Sequence, residues 1–149
     1  MADKKRWWLR IAVFGAVLLA AYFTNVQVQT YLGERALSET GLQVRDLESA
    51  LAAAKTDSKY VLADLAAIWC PACRRLDRTV FSDQGVKARI ERDFVFARIE
   101  YESEQGRAFM ERYQVSGFPN LLILDSDGKL IKKLPVTFDP EEFSGALDL

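Results

Sequence analysis

Trp69-Cys70-Pro71-Ala72-Cys73 is the stretch that decides how this chain reads. It contains both cysteines of a 149-residue sequence. The apolar run Tyr60-Val61-Leu62-Ala63-Asp64-Leu65-Ala66-Ala67-Ile68 precedes it, and the charged, amphipathic Arg74-Arg75-Leu76-Asp77 follows it. A strand entering a Cys-x-x-Cys turn that opens a helix is the setting of a redox dithiol. Cys70 then lies at a helix N-terminus, where unpaired backbone N–H groups favour a thiolate. Cys73 comes one turn later, close enough to close a short disulfide. Dithiol exchange needs these two parts, an attacking thiolate and a resolving thiol.

The pair has blander readings. Zinc takes four ligands, and with no histidine and no third cysteine a zinc site needs a second chain. A purely structural bridge over so short a loop contributes only about 2 kcal/mol. Two unrelated buried cysteines fit the strand-to-helix context poorly. Two thiolates also suit soft Cu(I), which leaves a metal-carrier alternative without turnover. The absence of histidine excludes Ser-His-Asp and Cys-His catalysis.

Length allows one domain of ordinary size plus a short appendage. Half the residues are hydrophobic and 28% are charged, a composition suited to a folded core. The net charge of −1 is unevenly spread. Residues 1–24 carry Lys4, Lys5, Arg6 and Arg10 against Asp3, so the remainder is mildly acidic and offers nothing to nucleic acid. Ile11–Phe23 is continuously apolar, and no charge occurs from Ile11 until Glu34. With Trp7–Leu9 and Thr24–Val28 included, the segment reaches the roughly 20 residues of a bilayer span. Arg10 would snorkel, and Trp7, Trp8 and Tyr22 suit the interfacial belts. Residues 1–24 therefore read as an uncleaved signal anchor or, alternatively, a cleaved signal peptide. Leu18, two residues before Ala20, spoils the small-x-small cleavage pattern and favours the anchor. The charge bias keeps the N-terminus in the cytoplasm and exports the rest. In a bacterium that is a single pass of the inner membrane through residues 7–28 with a periplasmic domain, or a soluble periplasmic domain after cleavage, where disulfide chemistry is permitted.

Residues 25–41 read as a tether with a short helix near Tyr31–Leu37, and residues 42–149 as the folded domain. Asp46 caps a helix carrying Leu47, Ala50, Leu51 and Ala54. Lys59–Ile68 is a strand apolar on both faces, as in the middle of a covered sheet. Arg74–Arg78 continues the redox helix, and Asp83–Arg92 is a further helix. Phe94–Ile99 is the second strand, Glu100–Gln105 an acidic solvated loop with no assigned role, and Gly106–Tyr113 a helix. Leu121–Leu124 and Leu130–Leu134 form a hairpin around Asp125-Ser126-Asp127-Gly128. Asp139-Pro140-Glu141-Glu142 starts a closing helix. The order predicts an α/β layer fold, with parallel strands followed by an antiparallel hairpin.

Residues Leu42–Leu147 resemble the thioredoxin superfamily. Three features carry the resemblance: the strand Val61–Leu65 leading into Trp69–Cys73, the segment Val115-Ser116-Gly117-Phe118-Pro119-Asn120 before the third strand, and the terminal hairpin. Within the superfamily, Cys73-Arg74-Arg75-Leu76-Asp77 and Val80-Phe81-Ser82-Asp83 are similar to the C-terminal domains of the DsbD thiol:disulfide interchange proteins and their single-domain relatives. The resemblance implies a thioredoxin-like fold, a central mixed sheet flanked by helices. It also implies a protein-disulfide reductase or electron relay that needs no cofactor. Implied partners are exported proteins with disulfides and a membrane electron donor of the DsbD or CcdA kind. The Pro71-Ala72 pair departs from Gly-Pro in ordinary thioredoxins and Val-Ala in the DsbD domain. That pair tunes redox potential in the family, so reductase, oxidase and isomerase directions stay open.

Cys70 is the expected nucleophile, with Arg74 helping to lower its pKa, and Cys73 the more buried resolving thiol. Asp64, within an apolar strand, is costly unless paired or protonated, and a raised pKa would suit proton exchange with Cys73. The resemblance implies the same acid–base role; the alternative is an edge carboxylate facing water. Asp77, by resemblance, tunes the active-site cysteine, against an ordinary surface charge. Pro119 is cis by resemblance, and the backbone beside it pairs with a partner's extended segment. Trp69, Pro71 and Phe118 flank the cysteines as an apolar docking surface, unless Trp69 and Phe118 simply pack in the core. A thioredoxin-fold binding or assembly factor without turnover is the remaining alternative.

Overall fold

Strand β1 (Tyr60–Ala66) is the axis of the fold, with every residue after Tyr60 buried. The structure is a computed structural model that describes residues 2–149, with side chains from Arg6 onward. β1 pairs in parallel with β2 (Phe94–Glu100) on one side. On the other it pairs antiparallel with β3 (Asn120–Leu124), which pairs antiparallel with β4 (Leu130–Leu134). The sheet order is β2-β1-β3-β4. The parallel portion is thus confined to β1–β2.

Alternation along β1 divides the core into two layers. Val61, Ala63 and Leu65 face α2 (Leu47–Asp57) and α5 (Glu104–Tyr113), packing with Ala50, Ala54, Phe109 and Tyr113. Leu62 faces the opposite layer, among Leu76, Phe81, Ile90 and Phe143. These come from α3 (Pro71–Leu76), the π-helical turn Asp77–Phe81, α4 (Gln84–Asp93) and α6 (Pro140–Ala146). Phe81 sits edge-on to both Phe96 and Phe143; truncating a phenylalanine so placed costs about 3–5 kcal/mol.

Local chemistry sets the element ends. Asp46, Asp83, Ser103 and Asp139 each cap a helix by accepting backbone N–H groups. The Ser103 cap starts α5 at Glu104, so the expected acidic loop over Glu100–Gln105 shrinks to a short turn. The redox helix runs on through a π-helical turn to Phe81 rather than stopping near Arg78.

The largest difference from expectation is at the N-terminus. α1 is one continuous helix from Ala2 to Glu39, so the segment 25–41 is helical for most of its length. The segment 25–41 has no proline, and its first glycine is Gly33. The helix ends where Gly41 takes φ +64°, a conformation glycine adopts without strain. The helical stretch Arg6–Glu39 is long enough, and contains a segment apolar enough, to cross a membrane. Trp7, Leu9, Phe14, Leu18 and Tyr22 are all exposed.

Candidate active site

Cys70 is the N-cap of α3, with extended backbone and Pro71 in the first turn. Its sulfur accepts the backbone N–H of Cys73 at 3.0 Å. The helix start thus supplies a hydrogen-bond donor at the place where a thiolate would form. Cys70 and Cys73 are joined in a disulfide, with Cα atoms 5.3 Å apart. The expected contrast in burial is absent: Cys70 is 3% exposed and Cys73 2%. Both pack on Ala66 and Ala67, with Tyr101 and Phe118 against the same cluster. Packing against a cluster that holds both sulfurs, these aromatics help to screen the pair as a unit.

Asp64 lies between Leu62 and Ala66 on the face of β1 turned toward α3. At 1% exposure it is no edge carboxylate facing water. Asp77 is 2% exposed, so it is not a surface charge either. Between them stands Arg98 of β2. Its Nε is 3.1 Å from Asp64 Oδ2, and its Nη2 bonds Asp77 Oδ1. Asp64 Oδ1 has no hydrogen-bond partner among the described residues. Burial pushes the Asp64 carboxyl up to about 6, against the pull of Arg98 and with a push from Asp77. Burial also raises Asp77, again opposed by Arg98. The cluster therefore holds a carboxyl able to exchange a proton near neutrality, buried on the face that carries the cysteines.

Trp69 is 41% exposed rather than core. Its ring stands edge-on to Phe118 at 5.1 Å, and Tyr101 meets Phe118 from another side at 4.6 Å. Phe118 is half-buried, and Pro71 is exposed. The Phe118–Pro119 peptide is cis, and Asn120 Nδ2 donates to the carbonyls of Ser116 and Gly117. Trp69, Pro71 and Phe118 thus form an apolar rim beside the disulfide.

Two parts of the site escaped the sequence reading. The acidic segment clasps the motif: Glu100 Oε2 accepts the Ile68 N–H at 3.0 Å, and Glu102 Oε2 accepts the Trp69 indole N–H at 3.3 Å. Burial raises the Glu100 carboxyl despite the bond from Ile68. Arg98 was the other omission; only its place opposite Asp64 in the strand register reveals it. Arg74, expected beside Cys70, turns to α1 and bonds Gln29 Oε1 at 2.7 Å. Among the described residues no group of three or more histidine, cysteine or acidic side chains is placed to hold a metal.

A family model described as a thioredoxin-like domain matches residues 47–149. The thiol:disulfide interchange protein DsbD of Escherichia coli is 32% identical over 160 aligned positions, covering 96% of this chain but 27% of DsbD. The chain thus spans about a quarter of the length of the curated relatives it matches. The solution structure of a thioredoxin from Thermus thermophilus has a TM-score of 0.63 at 26% identity, covering 70% of this chain and 82% of that one. The reduced C-terminal domain of Neisseria meningitidis DsbD gives 0.57 at 21% identity, covering 68% and 93%. At that identity the likeness speaks for the fold alone.

Proposed function

The chain belongs to the thioredoxin-like domain family, and from that premise we propose that it is a membrane-anchored thiol–disulfide oxidoreductase of the periplasm, working as a reductase or electron relay. The observation that carries this reading is the capping bond. The Cys70 sulfur holds the N-terminal position of α3 and accepts the Cys73 N–H, with the partner sulfur already within bonding reach. The DsbD relatives, named for thiol:disulfide interchange, and the apolar helix α1 support the activity and the membrane setting.

In the reduced chain, the Cys70 thiolate attacks one sulfur of a partner disulfide. The new Cys70–partner bond forms as the partner's S–S bond breaks, and its other sulfur leaves as a thiolate. Asp64, held ready by its raised pKa, takes the proton from Cys73. Cys73 then attacks the Cys70 sulfur, and the partner departs as a dithiol. Two electrons pass to the partner and two protons follow. Trp69, Pro71 and Phe118 seat the partner, whose extended segment pairs beside Pro119. A membrane dithiol donor returns the chain to its reduced form. Asp77 and Arg98 set the electrostatic background of the exchange.

Trapping with Cys73→Ser in cells tests this reading. A mixed disulfide through Cys70, absent when Cys70 is also replaced, is the expected result. A chain that retains its cellular activity as Cys70→Ser and yields no trapped adduct would be a binding factor instead.

A further inference from the structure

α1 changes character near residue 29. From Arg6 to Val28 it is exposed almost all round, whereas Gln29, Gly33, Ala36 and Thr40 turn inward at helical spacing. A Cβ on Gly33 would stand 2.1 Å from the Ile68 carbonyl oxygen, in the loop that enters the redox motif. Only a residue without a side chain allows helix and backbone to approach so closely. Ala36 is fully buried. Arg74 Nη1 bonds Gln29 Oε1 at 2.7 Å and lies 3.4 Å from the Trp69 carbonyl oxygen. Anchor helix, motif loop and redox helix are thus clamped together.

The clamp coincides with the end of the apolar segment. Residues 11–33 carry no charge, and a helix of that length is about 34 Å long. The hydrocarbon core of a bilayer is about 30 Å thick, or roughly 20 helical residues. Counted from Arg10, the far edge of the hydrocarbon falls at the turn that holds Gln29 and Gly33. Arg74 and the Ile68 carbonyl meet α1 at that level, and the Arg74 guanidinium also lies on the Trp69 carbonyl. The Trp69 indole, exposed and with its N–H held by Glu102, is a side chain of the kind enriched in the headgroup belt.

We propose that the end of α1 is a rigid strut that fixes the Cys70–Cys73 motif at headgroup level, so that the motif exchanges with cysteines presented at the membrane surface in preference to cysteines held above it. The inference rests on the membrane-anchored redox reading above. The partner's dithiol is oxidised to a disulfide as the Cys70–Cys73 disulfide is reduced, two electrons and two protons passing between them. The same exchange runs in reverse from the reduced chain.

The test uses the full chain, reduced and reconstituted in phosphatidylcholine–phosphatidylglycerol vesicles. A disulfide peptide is offered free in solution, on a lipid headgroup, or on the same lipid through a rigid spacer of about 12 prolines, roughly 37 Å long. Exchange with the headgroup peptide is expected to be about tenfold faster than with the raised one. A flexible Gly-Ser insertion between Val28 and Gln29 leaves the clamp intact but frees it from the membrane. It is expected to erase the height preference without changing the rate with free peptide. Equal rates at both heights, or a preference that survives the insertion, overturns the strut. Failure to exchange with the free peptide overturns the redox reading instead. A Trp7→Phe/Trp8→Phe chain supplies a second measurement: Trp69 emission should be quenched by headgroup spin-labelled lipid, less so with the insertion, and absence of quenching overturns the strut.

Discussion

Arg98 lies directly across the parallel strand pair from Asp64, its Nε 3.1 Å from the Asp64 Oδ2. The other end of the guanidinium reaches Asp77. One cation, 13% exposed, thus serves two buried carboxylates. With both ionised, the trio carries an excess negative charge on the face of the sheet that supports the disulfide. Burial wins over the ion pair at Asp64, which is why its carboxyl is held near 6 rather than depressed.

Arg98→Met removes the shared cation and leaves two buried carboxylates without a counterion. The expected loss of stability at about pH 8 is 3–5 kcal/mol, read by denaturant unfolding. Both carboxyls would rise further, so the loss should shrink as pH falls and they take up protons. Arg98→Lys should recover part of the stability, since it restores charge without the two-ended fork.

Asp64→Asn is expected to stabilise the domain while slowing it. The folded carboxyl at about 6 lies above its ordinary value of 3.8. Between those values the folded state binds more protons than the unfolded, so stability falls as pH rises through that window. The penalty is complete above it, and its removal should add about 1–3 kcal/mol at about pH 8 and little near pH 4. Turnover of protein disulfides near neutrality should fall by about 100-fold, the contribution of a positioned base. Unfolding curves and pH–rate profiles check the two halves separately.

Phe118→Ala opens the aromatic cover over the cluster that holds Cys70 and Cys73. In the reduced protein, alkylation by a small reagent should speed up several-fold. Reduction of a protein disulfide should slow by about tenfold, because the rim that seats the partner is lost. A drop in both rates would place Phe118 in folding rather than docking.

The sequence exposes features built from neighbouring residues. The Cys70–Cys73 spacing, the strand apolar on both faces that becomes β1, the Asp46 cap, the helix starts at Asp83 and Asp139 and the hairpin at Gly128 are each local, and each is found where its chemistry puts it. Contacts between distant segments are a different matter. Asp64 and Arg98 are 34 positions apart and meet only through strand register. Glu100 and Glu102 look like a solvated acidic run until the fold brings Ile68 and Trp69 N–H groups to them. Asp77 looks exposed because a π-helical turn, invisible in helical periodicity, turns it inward with Val80 and Phe81. The polar residues of segment 25–41 suggest a loose tether, yet Gly33 is the close-packing point of a helix, and a lone glycine does not announce which role it has.

The most direct test is equilibration of the full chain against glutathione mixtures, reading the fraction of Cys70–Cys73 disulfide at each ratio. A reversible two-electron couple on the reducing side, near the thioredoxin value of about −270 mV, is the predicted result. A couple near the DsbA value of about −120 mV, or cysteines that do not interconvert at all, would contradict the assignment of this pair as a reducing relay.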